Sequence, residues 1–415
     1  MQHWASIAPQ NPKLPRRVAS KFLPASTTPQ STNSGTPTPL KMSKELSTVL
    51  ATTIAILEQF QGTLAPSATA NITEAPPKDA KPLPLLSASS TALKAQVTKL
   101  SLLAISSPFT PSAVSTVLRA CNDSVLPSLV TAALLVTPAE YTKAFHSEVL
   151  VLVRTTLTEL AVLVQAVKSI ADKKDQAKKD DPNYKEGELP KSEKDTVTQA
   201  TGRVWDACDA VVEVATKGVV GFVMRRVEQW RDLVRDAVEE IEEWDPEEDD
   251  DDFFDGIEDG EKDDDDQDGD EDSDKEDTAA LQEQKKATLR FLKPIAQVYP
   301  AIASNRLKNA GETPLASTAG VSRLESLMTH LQSIPDQLDE AAGALYEDNV
   351  SKSAEFLKQI QKSASQAVES VRLPWGAADD ADGKEPSEDR FTVWSKTWFK
   401  VVDEVAKSIN PGAST

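Results

Sequence analysis

A chain of 415 residues with 39% apolar and only 5% aromatic residues has enough material for one or two cores. Its 26 prolines, 15 glycines and lack of β-branched runs with period-two alternation argue against sheet architecture and favour an all-α fold. The net charge of −21 is not a property of the whole surface: Glu239 to Asp277 holds 26 acidic residues and two lysines, leaving +3 for everything else.

Residues 1–42 are rich in Pro, Ser and Thr and contain no acid, which predicts a disordered tail. Pro9, Pro12, Pro15 and Pro24 would break the amphipathic helix of a mitochondrial presequence. Within the tail, Thr38-Pro39-Leu40-Lys41 has the form proline-directed kinases accept, making Thr38 a candidate phosphorylation site. A first helix is expected over 43–61, capped by Ser43, with Leu46, Val49, Leu50, Thr53, Leu57 and Phe60 inward. A proline-rich loop follows, then a helix over 89–105 and another over 112–136 that Pro127 should kink or split. Pro138 is expected to open a long helix reaching about Lys174. Residues 172–195 mix charge with Pro and Gly and read as a solvated linker.

The stretch from Thr201 to Trp244 organises the rest. Val204, Cys208, Val211 and Ala215 recur at helical spacing, and after a pause near Lys217-Gly218 the pattern resumes with Val220, Val223, Val227, Trp230, Val234, Ala237, Ile241 and Trp244. The seam, counted with Trp205, reads as bundle core more readily than as a coiled-coil strip, because other amphipathic helices are at hand to cover it and large rings suit a globular interior.

Residues 246–277 repel themselves too strongly to fold and read as a disordered acidic tract. They serve as a spacer, or as a lure for basic partners with Phe253 and Phe254 as apolar anchors beside Asp263, Asp264, Asp265 and Asp266. Ser273, followed by Asp274, Lys275 and Glu276, suits an acidophilic kinase. Like charge excludes binding of nucleic acid through this tract. From 278 onward helical stripes return, with a bend or a break expected at Pro294 and a fresh helix at Pro335. The last two stripes run through Phe356–Val371 and Phe391–Ile409.

Nothing in the chain supplies a catalytic or metal-binding pattern. There is no GxSxG, GxxxxGK, HExxH or CxxC, and the three histidines lie far apart. Cys121 and Cys208 read as buried reduced thiols. The longest apolar segment, 149–167, is interrupted by Arg154 and Glu159, so a soluble intracellular protein without a membrane span is expected. The predicted layout is a tail over 1–42, a helical bundle over 43–245, the acidic tract, and a second helical bundle over 278–415. Such a chain acts by binding, with no cofactor. A cytoskeletal or adhesion scaffold and an acidic chaperone for basic proteins are the rival readings.

Residues Thr201 to Asp209 (TGRVWDACD) resemble the helix that marks the cyclin-D-binding protein family, also described as Grap-and-cyclin-D-interacting proteins. Arg235-Asp236-Ala237-Val238-Glu239-Glu240-Ile241-Glu242 is similar to the end of that family's next helix, and an acidic segment and further helices follow in the same order. The resemblance implies long antiparallel bundles of the talin type and no catalytic residues. It further implies a negative regulator of the cell cycle or transcription that binds D-type cyclins and helix-loop-helix factors in nucleus and cytoplasm.

Overall fold

The computed structural model describes residues 39–65, 81–181, 184–246, 271–376 and 388–409. Among them every regular element is helical, so the fold is an all-α bundle of long helices. The first group comprises α1 (Pro39–Thr63), α2 (Pro82–Ile105), α3 (Pro111–Ala120), α4 (Leu126–Leu135) and α5 (Lys143–Asp180). The long α6 (Lys191–Glu243) follows. The second group comprises α7 (Glu271–Ala296), α8 (Val298–Ile302), α9 (Thr318–Tyr346), α10 (Val350–Ser370) and α11 (Arg390–Ile409).

Prolines explain most departures from the expected boundaries. Pro39, Pro82 and Pro111 sit in the first turns of α1, α2 and α3, where a helix has no use for their missing N–H. Ser43 therefore lies inside α1 and not at its cap, and α2 begins seven residues before the expected Ser89. Pro138 does not open α5. That task falls to Thr142, whose Oγ1 accepts the Phe145 N–H at 3.3 Å. Pro127 splits its segment as expected: a π-turn, Cys121–Val125, separates α3 from α4, with the Leu126 N–H donating to the Cys121 carbonyl.

Pro335 starts no new helix. It lies within α9, where it cannot donate to the Leu331 carbonyl one turn back. The buried Tyr299 hydroxyl donates to that carbonyl at 3.0 Å instead, so the helix passes its proline with the orphaned acceptor satisfied.

The stretch expected as a solvated linker over 172–195 is mostly helix. α5 continues to Asp180, with Lys168–Asp172 and Gln176–Asp180 contacts one turn apart supporting it. The connection that remains is tied down. Lys174 is buried and pairs with Glu186, which also accepts the Phe109 N–H at 2.7 Å. Burial pushes the Glu186 carboxyl up, but the Lys174 ammonium and the Phe109 N–H outweigh it, and the net shift is downward.

α6 bends where the sequence pauses. Gly218 stands at φ 64°, ψ −170°, a conformation open to glycine and strained for any residue with a Cβ. A Gly218→Val variant is expected to lose about 1–3 kcal/mol of stability, read as a lower urea midpoint at unchanged slope. The bend gives α6 two arms. The first lies on α2 and α5: the Ser90 hydroxyl donates to the Cys208 carbonyl at 3.0 Å, and Arg203 pairs with Glu159 at 2.7 Å. The second keeps α5 on one side, with Phe145 and Phe222 edge to face at 5.6 Å, and meets the second group on the other. Buried side chains from both groups form one continuous core along it.

Candidate partner-binding surface

The inward residues of α6 are consumed by packing. Val204, Cys208, Val223, Val227, Trp230, Val234 and Ile241 are buried, and Val220 is partly buried against the same core. Trp205 departs from the expected seam. It is 36% exposed, because it sits about 100° round the helix from Val204, and it lies beneath Lys94, whose Nζ is 5.9 Å from the ring centroid. Lys94 also pairs with Asp209, so the ring is the apolar centre of a small charged patch.

The thiols have no chemistry to offer. Burial pushes Cys121 up to about 12 and Cys208 up to about 11, so thiolate is scarce at neutral pH. Neither should react with a disulfide reagent at pH 8 except as fast as the chain opens, and full reactivity should return in denaturant. A stoichiometric fast phase in the native protein would contradict this. His146 sits on the Val136 carbonyl. Among the described residues no group of His, Cys, Asp and Glu is arranged to hold a metal ion.

The distal end of α6 is electrically distinct. Glu239, Glu240, Glu242 and Glu243 are exposed there, and Asp336, Asp339 and Glu340 stand on the adjoining α9. Burial and then the neighbouring Asp336, Glu240 and Glu340 push the Asp339 carboxyl upward, which is the signature of crowded negative charge. Trp244 packs against Tyr346 at 4.8 Å between ring centroids, and burial followed by Glu240 raises the Tyr346 hydroxyl to about 12. Lys285 holds the helix end by donating to the Glu242 and Trp244 carbonyls. The acidic surface thus begins on the folded body, one turn before the tract. Charge counting along the sequence catches the end of α6 but not the α9 carboxylates, because the chain outside 239–277 sums to near neutral. The signal that reveals them is the 336, 339, 340 spacing, which puts three carboxylates on one helix face.

Of the other candidate positions, Thr38, Phe253, Phe254 and Asp263 to Asp266 lie outside the described residues. Ser273 falls in the opening turn of α7, which starts inside the acidic segment rather than after it.

A second surface lies on α5, between α1 and α6. Gln61 of α1 reaches Thr158 at 3.2 Å on one side, while Arg225 and Arg226 converge on Glu148 at 3.0 and 3.1 Å on the other. By length and composition α5 is apolar enough to cross a membrane, and 44% of its most apolar window is buried here against neighbouring helices.

Residues 85–247 match the family model described as Grap2 and cyclin-D-interacting, N-terminal. Over that span the chain is similar to this family. No curated protein matches the chain. The matched span runs from Leu85 in α2 through the acidic end of α6, so it contains the Trp205 patch, the outward face of α5 and the first carboxylates of the acidic surface. Helix α1 and the helices from α7 onward lie outside the matched span.

Proposed function

We propose that the protein is a non-catalytic adaptor that restrains cell-cycle progression or transcription by occupying its partners, D-type cyclins and helix-loop-helix factors among them. The observation that carries this reading is the acidic end of α6. Glu239, Glu240, Glu242 and Glu243 stand exposed beside Asp336, Asp339 and Glu340 on α9, a concentration of like charge that projects a negative field, and the sequence continues it with the acids of 247–270. The family description, which names interaction with Grap2 and cyclin D, supports the same class of function. A negative surface steers basic partners: it speeds encounter and leaves specificity to the helical faces.

The test is the association rate of the full chain with a D-type cyclin, measured at low and high salt. A second protein, in which the acids of 247–270 are replaced by Ser and Gly at equal length, completes the comparison. The rate should fall about tenfold or more between 0.05 and 0.5 M salt for the native chain. It should be lower and nearly salt-independent for the replaced chain. Equal rates in all four conditions would end the electrostatic part of the proposal, and no binding in any would end the adaptor reading.

A further inference from the structure

The outward face of α5 has no covering element among the described residues. Val151, Thr155, Thr158, Val162, Gln165 and Ser169 are all exposed, at steps of four, three, four, three and four. That repeat averages about 3.5 residues and draws a straight line along the helix, the spacing at which one helix lies in register along another. The line is about 27 Å long at 1.5 Å per residue. It carries no charge, in a chain of which 27% is charged. Its two valines are 52% and 42% exposed, although valine is a residue that burial favours. At one end the line opens into a cleft of about 290 Å³ where Val151, Phe222 and Met328 meet Glu148, Arg226 and Gln332, with room for one large side chain.

The flanks of this line are basic. Arg203, Arg225 and Arg226 stand on the α6 side, and their carboxylates are Glu159 and Glu148. Arg154 and Lys168 belong to α5 itself, and Asp172 pairs with Lys168. With Glu58, exposed on α1 one turn from Gln61, five cations face four carboxylates, and the Nε of Arg154 is buried without a hydrogen-bond partner among the described residues.

We propose that this face is a docking track for an amphipathic helix of a partner protein, with an uncharged apolar seam flanked by carboxylates and one bulky residue seated in the cleft. The proposal rests on the adaptor reading and gives it a location and a partner chemistry. Charge selects the occupant. In a two-fold pair of this chain basic flank would meet basic flank, which is repulsive, whereas a helix with acidic flanks meets complementary charge. A bilayer is a poor occupant, because the apolar exposure is one residue wide and bordered by arginines on its α6 side.

The test uses the full chain and a labelled 21-residue designed helix with Leu at every a and d position and Glu at e and g. Its twin carries Lys at e and g. The acidic helix should bind, and the lysine twin should bind at least tenfold more weakly. The double variant Val151→Glu, Val162→Glu, which removes the apolar seam and adds like charge, should weaken the acidic helix tenfold or more. Both positions are exposed, so its helical signal and melting temperature should match the native chain. Equal binding of the two helices, or binding untouched by the double variant, would overturn the proposal. So would lipid vesicles that sediment the native chain and not the variant, or self-association that the variant abolishes. Cyclin capture separates the two levels of the argument. If the double variant captures cyclin like the native chain and the designed helix fails to bind, the track is wrong and the adaptor stands. If the native chain captures none while the helix binds, the reverse holds.

Discussion

Replacing Arg306 by methionine is expected to destabilise the helices after the acidic tract by about 3–5 kcal/mol. Arg306 is 5% exposed, in the π-turn Ala303–Leu307. Its Nε donates to the Val371 carbonyl at 2.6 Å and its Nη2 to the Arg372 carbonyl at 2.7 Å, so it holds the end of α10. The same guanidinium grips Asp389 through both terminal nitrogens, at 2.6 and 3.0 Å, and lies 4.4 Å from the centroid of the Phe391 ring. Asp389 in turn accepts the Thr392 N–H at 2.8 Å and so caps α11. Methionine fills a similar volume but strands two carbonyls and a carboxylate. Lysine should rescue little, since a single ammonium cannot serve three acceptors in a plane. Urea unfolding followed by tryptophan fluorescence reads the loss directly, because Trp375, Trp394 and Trp398 lie in this region.

Acid should distinguish this variant further. The Arg306 guanidinium holds the Asp389 carboxyl down at about 2, against an ordinary 3.8. A depressed carboxylate contributes stability in full above its unfolded value and loses it as pH falls through the folded one. The stability gap between the native chain and the Arg306→Met variant should therefore be constant above about pH 5 and narrow between about pH 4 and 2, the part owed to the two carbonyls remaining.

The second large effect separates two adjacent residues. Val234→Asp should cost about 4 kcal/mol or more and leave little folded protein, whereas Leu233→Asp should change stability by less than about 0.5 kcal/mol. Val234 is fully buried on the second arm of α6, and Leu233 is 55% exposed one step round the helix. An aspartate at 234 would be an unpaired charge in the core that both helical groups share. Circular dichroism and limited proteolysis of the two variants test this, and comparable losses would show that the inward stripe is misplaced.

The three-four stripes are legible in sequence because burial of one helix face leaves a periodic trace, and the break at Gly218 is legible because two apolar stripes fall out of phase there. Helix ends go astray where proline is read only as a breaker. In a first turn it costs nothing, and at Pro335 a tyrosine far back in the chain, Tyr299, supplies the missing donor, a partnership no local pattern encodes. The same limit hides Arg306, whose partners lie 65 to 83 residues away, and the docking of 184–190, where opposite charges that look mutually cancelling include one buried pair. The size of Trp205 argues for an inward place, but its phase on the helix turns it outward. The uncharged line on α5 is visible in sequence as scattered Thr and Val, but which helix faces stay uncovered depends on how the helices assemble.

Everything else depends on α6 being the common spine of both helical groups, which makes the described helices one body with its outer faces exposed. Differential scanning calorimetry of the full chain tests this most directly. A shared spine predicts one transition with equal calorimetric and van't Hoff enthalpies, and an Arg306→Met variant in which that whole transition moves down together. Two resolved transitions, only one of which responds to the substitution, would contradict it.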